Sequence, residues 1–184
     1  MLQDEAPEKV FDIKSESIRV SPLGEFPDYA PVLAFWSYRQ WYTTRSIPFE
    51  AVLKSYQVRA RGVSIPLAFV ATVNTMPAGM ISLKLDDLWS RKDLNPWLAS
   101  LYVLPEFRKR GIAEMLMKRV IENAANLNLE RMYLFLGQSE KDQLQSYYMK
   151  RGWVLLERAV DNDGHDTEIF QYRISRNHIP YAHP

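Results

Sequence analysis

The chain opens, after a polar stretch, with "SIRVSPL" (17–23), whose alternation predicts a short strand. Apolar residues then recur at helical spacing through "DYAPVLAFWSYRQWYTTR" (28–45), and again through "FEAVLKSYQVRA" (49–60), which Pro48 starts. "PLAFVATV" (66–73) predicts an apolar strand, "NTMPAG" a turn, and "GMISLKLDDL" (79–88) the strand that pairs back in a hairpin. A polar connection, "WSRKDLNP" (89–96), leads to a strand "WLASLYVL" (97–104) that Pro105 stops. From Gly111 to about Asn126, Ile112, Met115, Leu116, Val120 and Ala124 mark a long helix. "RMYLFL" (131–136) predicts a buried strand, and "EKDQLQSYYMKR" (140–151) a short helix capped by Gly152. Two strands, "WVLLERAV" (153–160) and "DTEIFQYRI" (166–174), close on a "DNDG" turn.

The order β-α-α-β-β-β-α-β-α-β-β is a mixed α/β, α+β-like pattern. Its front half is antiparallel and its middle is a strand–helix–strand crossover. No repeat and no boundary interrupts it, so residues 1–184 form one expected domain, with 176–184 a loosely attached tail. Composition changes little in this picture. Apolar residues make up 47% and charged residues 24% of the chain, and the formal net charge is +1, which argues against a nucleic-acid partner. The absence of cysteine excludes a thiol nucleophile, thiolate metal ligands and disulfides. The acidic start "MLQDEAPEKV" does not resemble a secretory signal, and no apolar run reaches the length of a bilayer span. The expectation is a cytoplasmic protein without a membrane partner.

One stretch resists that ordinary composition. In "FRKRGIAEML" (107–116), Arg108, Lys109 and Arg110 precede the glycine that opens the long helix. A helix N-terminus already carries roughly +0.5 of partial charge, so these cations crowd a positive pole. Free amides, a dipole and a glycine make that place suitable for an anion. On these residues alone a solvated basic turn accounts for the charges equally well. Neither a nucleoside-triphosphate P-loop nor a Rossmann glycine pattern is present.

The spacing R-x-x-G-x-A, after "V-x-P-x-x", resembles the acetyl-CoA loop of the GNAT N-acetyltransferase superfamily. "SYYMKRGW" (146–153) resembles the later segment of the same superfamily, and the order of elements matches it over nearly the whole chain. The resemblance implies a central, mostly antiparallel sheet with flanking helices. It implies acetyl-CoA as co-substrate, its diphosphate on the amides of Arg108, Lys109, Arg110, Gly111, Ile112, Ala113 and Glu114. The pantetheine arm would run along Leu101, Tyr102 and Val103. Tyr148 falls where relatives often carry a tyrosine that protonates the leaving thiolate, while Tyr147 is read as a core aromatic. Trp36 and Arg39, in the aromatic first helix, lie where relatives build one wall of the acceptor pocket.

Two departures follow. Lys141 stands where many relatives have an asparagine that contacts pantetheine. The strand "WLASLYV" offers no carboxylate or histidine as a general base; the nearest acids in sequence are Asp86, Asp87 and Asp93. The resemblance therefore implies acetyl transfer to a primary amine of a small molecule or peptide, by direct attack in a ternary complex. The missing base sustains an alternative, a non-catalytic coenzyme A-binding regulator or sensor of the same fold. No metal is expected: His165, His178 and His183 are widely spread, and "DNDGHD" (161–166) reads as a hairpin turn. A homodimer through "DTEIFQYRI" at a sheet edge is the oligomer the pattern allows.

Overall fold

A computed structural model describes residues 17–137 and 141–175. Seven strands form a single sheet: β1 (Ile18–Pro22), β2 (Leu67–Val73), β3 (Met76–Lys84), β4 (Trp97–Val103), β5 (Arg131–Leu136), β6 (Val154–Val160) and β7 (Asp166–Arg173). Their order is β1-β2-β3-β4-β5-β7-β6, and every neighbouring pair is antiparallel except β4–β5. The helices are α1 (Ala30–Trp41), α2 (Phe49–Arg61), α3 (Ile112–Asn126) and α4 (Lys141–Met149). No described helix is long and apolar enough to cross a membrane. The predicted tail at 176–184, the acidic start, and His178 and His183 lie outside the described residues.

Each face of the sheet has its own core, because β2 and β3 are apolar on both sides. One face carries Phe69, Ile81, Leu134 and Phe170, and packs against Leu116, Met117, Val120 and Ala124 of α3 and Tyr148 of α4. The other carries Ala68, Val70 and Met80 beneath Leu33 and Ala34 of α1 and Val52 and Tyr56 of α2. On this second face, beyond β4, the 85–96 segment takes over. Its Leu88 and Leu94 cover Trp97, Tyr133 and Ile169, and Trp97 Nε1 donates to the Leu94 carbonyl at 2.6 Å. Residues 89–96 are expected as a polar connection and Leu88 as the end of a strand; the burial of Leu88 and Leu94 makes the segment part of the core.

Several expectations are corrected. "DTEIFQYRI" is not an edge strand: β7 lies between β5 and β6 and is paired on both sides, so β6 is the free edge. The hairpin turn is only Asn74–Thr75, and β3 begins at Met76, three residues earlier than expected. Pro77 is tolerated there because the register shifts between Ala71 and Thr72, opposite it. β3 ends at Lys84 rather than Leu88. On α3, Met115 is exposed, whereas Met117 and Ile121 turn into the core. Helix starts and stops follow the predicted signals: Pro48 precedes α2, Gly111 precedes α3, and Gly152 follows α4 at φ +86°.

Candidate active site

The parallel partners β4 and β5 share one register pair among the described residues, Trp97↔Tyr133, at the start of β4. Toward Val103 the two strands no longer pair, so the sheet opens at their C-terminal ends. β4 is also irregular. Ser100 has φ +55°, and its register with β3 shifts between Met80 and Ser82. Such a bulge disrupts the ladder locally and frees backbone groups of β4 from pairing.

Loop 104–111 carries the chain from this opening into α3. Leu104 donates its amide to Ala78, and a 3-10 turn at Pro105–Phe107 follows. Lys109 at φ +61° and Gly111 at φ +76° then turn the backbone left-handed on either side of Arg110. The first intrahelical bond runs from Met115 N to Gly111 O at 3.1 Å. The amides of Ile112, Ala113 and Glu114 thus have no carbonyl one turn earlier in the helix to bond. A Cβ built on Gly111 would meet nothing within 4 Å, so the space in front of the helix start is open.

The three cations do not crowd the pole as freely as the sequence suggests. Arg108 Nε donates to the Val103 carbonyl at 3.0 Å, and its guanidinium lies 6.0 Å from the Tyr102 ring centre. Arg110 Nη2 donates to the Glu106 carbonyl at 3.1 Å and sits 5.3 Å from the Phe107 ring centre. Lys109 is exposed. Glu114, the acid in the first turn of α3, pairs with Arg151. Arg151 also donates to the Tyr147 carbonyl at 2.9 Å and stacks 3.6 Å from that ring's centre. This arginine, not singled out in the sequence, neutralises the acid nearest the anion-facing amides and ties α3 to the end of α4. Its only sequence signal is a cation beside the capping Gly152.

Tyr102 of β4 links this loop to the first helix. Its ring lies 5.9 Å from Trp36 and 6.5 Å from Trp41. Trp36 is thereby brought beside the expected pantetheine strand, together with Trp41 of the same aromatic helix. Arg39 is exposed on α1 and makes no such contact among the described residues. Tyr148 is only 6% exposed, more deeply buried than Tyr147. Its ring packs edge-on against Tyr147 at 5.3 Å and Trp153 at 5.8 Å. The expectation placed Tyr147 in the core and Tyr148 in the site; both rings are part of the packing. Lys141 opens α4, and its side chain lies outside the described part.

The three candidate acids belong to the 85–96 segment or its entry, on the sheet face opposite α3. Asp86 is exposed. Asp87 is paired with Lys84. Asp93 accepts from Arg91 Nε and Nη2 at 2.8 and 2.7 Å, and these bonds hold its carboxyl below the usual carboxylate range. The segment is fastened to the β6–β7 turn: Trp89 N donates to Asn162 Oδ1 at 2.8 Å, and Asn162 Nδ2 donates to Asp87 O at 2.8 Å. Arg45, in the α1–α2 connection, pairs with Asp163 of that turn. The "DNDGHD" turn is closed from within, since Asp161 Oδ1 accepts the amides of Asp163 and His165, both at 2.9 Å.

Residues 30–153 match the Acetyltransferase (GNAT) family. No curated protein matches the chain in sequence. Solved structures match in fold. An acetyltransferase of the GNAT family from Streptococcus pneumoniae is 18% identical, covers 88% of this chain and 100% of its own, and superposes with a TM-score of 0.60. The yncA protein of Salmonella typhimurium, solved with its cofactor acetyl-CoA, is 16% identical over 93% of this chain and 98% of its own, at a TM-score of 0.63. Arabidopsis thaliana NAA60, in complex with acetyl-CoA, is 18% identical over 86% of this chain and 99% of its own, at 0.65.

Proposed function

The chain belongs to the GNAT acetyltransferase family, which its residues 30–153 match, and from that premise we propose that it transfers an acetyl group from acetyl-CoA to a primary amine. The observation that carries this reading is the open start of α3. The amides of Ile112, Ala113 and Glu114 have no carbonyl one turn earlier in the helix, and the space beside Gly111 is open, at the end where β4 and β5 part. A diphosphate there meets aligned N–H groups, the positive end of the helix dipole, and the charges of Arg108, Lys109 and Arg110. The crowding of cations is relieved by the anion and, without it, by the carbonyls that Arg108 and Arg110 already hold.

When bound, acetyl-CoA supplies an activated thioester. The residues of the chain do the rest. Leu101, Tyr102 and Val103 offer unpaired strand edge to the pantetheine arm, because β5 has diverged from them. A β4 amide released at the bulge donates to the acetyl oxygen as negative charge develops on it. The amine attacks the acetyl carbon, the new C–N bond forms, and the C–S bond breaks. Tyr148, a phenol protonated at neutral pH, gives its proton to the leaving thiolate. The amine reaches the thioester from the α1 side, where Trp36, Arg39 and Asp86 are the substrate-facing candidates. Asp86 remains available to relay the amine proton through water; Asp87 and Asp93 are held in ion pairs.

Those ion pairs also favour a second reading, a coenzyme A-binding sensor without turnover. Calorimetric titration with acetyl-CoA, coenzyme A and ATP, on wild type and Gly111→Glu, tests the shared premise. Acetyl-CoA binding that a folded Gly111→Glu variant loses is expected; wild type that ignores acetyl-CoA would sink both readings. Thiol release against an amine panel then separates them, since the sensor binds without releasing coenzyme A.

A further inference from the structure

A cavity of about 280 Å³ lies at the β1 edge of the sheet, on the face that carries α1 and α2. β3 and β4 stand between it and the opening toward β5. Its floor is Arg19 of β1 and Thr72 of β2, which are directly opposite one another across the two strands. Its roof is Phe26 and Tyr29, from the turns that lead into α1. The roof is fixed: the two rings stack with centroids 5.6 Å apart, and the Tyr29 hydroxyl donates to the Thr75 carbonyl at 2.7 Å. The space between floor and roof equals about nine waters' share of liquid volume.

The polar groups around this space are donors in search of an acceptor. Thr72 is only 6% exposed, and its hydroxyl has no hydrogen-bond partner among the described residues. Unlike Ser82 Oγ, which is sealed in the core, it opens into the cavity. A polar group at that depth is costly to leave unpaired. Arg19, beside it, pairs with no carboxylate among the described residues. Asn74, at φ +57°, accepts the Ser17 amide on Oδ1 at 3.2 Å, which leaves its Nδ2 to donate. No acid lines the cavity among the described residues.

We propose that this cavity binds a small aromatic monoanion, a carboxylate carried on a planar ring. The guanidinium fork of Arg19 matches a planar carboxylate, and Thr72 and Asn74 add neutral donors. Arg19 is the single charge lining the site, so it balances one negative charge. The ring of the ligand packs on the Phe26–Tyr29 wall, where offset or edge-on aromatic contact is favourable. At about 280 Å³ the cavity is smaller than sites for drug-sized molecules, which limits the ligand to one ring. The proposal is independent of the acetyl-transfer reading.

The probe is benzoate, with benzamide as its uncharged counterpart. Backbone amide resonances of the full chain are followed during titration at constant pH and ionic strength, for wild type, Arg19→Met and Thr72→Val. In wild type, benzoate is expected to shift the amides of Arg19, Thr72, Asn74 and Thr75 saturably, with half-saturation in the low millimolar range usual for so few atoms. Arg19→Met, at an exposed position, should weaken this binding about 10–100-fold, and Thr72→Val about 2–10-fold. Benzamide should bind wild type about 10–100-fold more weakly than benzoate. Each variant's own spectrum reports whether it is folded, and the comparison of benzoate with benzamide on wild type needs no variant. No saturable shift at these amides, shifts confined to residues 108–114, or equal affinity for benzoate and benzamide overturns the proposal. Equal benzoate affinity in wild type and folded Arg19→Met overturns it as well.

Discussion

Trp97 and Tyr133 stand opposite one another as the register pair that joins β4 to β5, their ring centroids 5.8 Å apart. The two halves of the sheet meet there and separate beyond it, so this contact acts as the apex of the opening. Trp97 is fully buried, against Phe135 as well, and its indole nitrogen is hydrogen-bonded. Trp97→Ala should cost about 3–5 kcal/mol, because the transfer energy of the ring is lost and a cavity remains. Urea denaturation measures this. A loss under about 1 kcal/mol would mean that the apex is held elsewhere.

Two glycines near the opening should behave differently. A Cβ on Gly79 would lie 2.9 Å from the Tyr102 carbonyl and 3.2 and 3.3 Å from Leu116 and Ile112. Gly79→Ala therefore forces α3 away from the sheet, destabilising by about 1–3 kcal/mol, and shifts both walls of the proposed cofactor site. At Gly111 there is space, and only the φ of +76° resists a side chain, at about 1–2 kcal/mol. Gly111→Ala should keep most acetyl-CoA affinity, whereas Gly79→Ala should lose more of it. Denaturation and calorimetry on both variants make the comparison; equal affinities would remove Gly79 from the argument.

Tyr148→Phe separates chemistry from packing. The ring stays against Trp153 and only the hydroxyl is removed. As the proton donor to the thiolate, its loss should lower kcat about 10²–10⁴-fold and leave acetyl-CoA binding within about twofold. A variant with unchanged kcat would make Tyr148 a core residue alone.

Alkaline stability should depend on Tyr172. Burial beside Trp153 pushes its phenol above the ordinary tyrosine range. The folded state therefore favours the protonated phenol. Its contribution is fully present below the unfolded value near ~10 and is lost as pH rises through the raised folded value. Denaturation midpoints of wild type should fall more steeply above about pH 10 than those of Tyr172→Phe. Parallel profiles would assign the alkaline loss to other groups.

The elements of the site were legible because their signals are local. Pro48, Gly111 and Gly152 mark boundaries through backbone freedom alone, and the R-x-x-G-x-A spacing needs no partner to be read. Neighbour order was not legible. "WVLLERAV" is more apolar than "DTEIFQYR", yet β6 is the exposed edge and β7 is buried between β5 and β6. Alternation tells a strand from a helix but carries no information on which strand lies beside it. Arg151 escaped notice for the same reason: its partner Glu114 is on α3, 37 residues away.

Local sequence thus determined the succession of strands and helices, the left-handed glycine that opens α3, and the amides it leaves facing outward. Chain stereochemistry and hydrophobic period act over a few residues, so they can be read from a few residues. Tertiary structure alone decided that β4 and β5 would meet at Trp97 and Tyr133 and then part, that Arg108 and Arg110 would rest on carbonyls, and that Tyr148 would be sunk among other rings. These are outcomes of packing between segments distant in the chain, where burial and the satisfaction of polar groups are settled by what arrives from elsewhere.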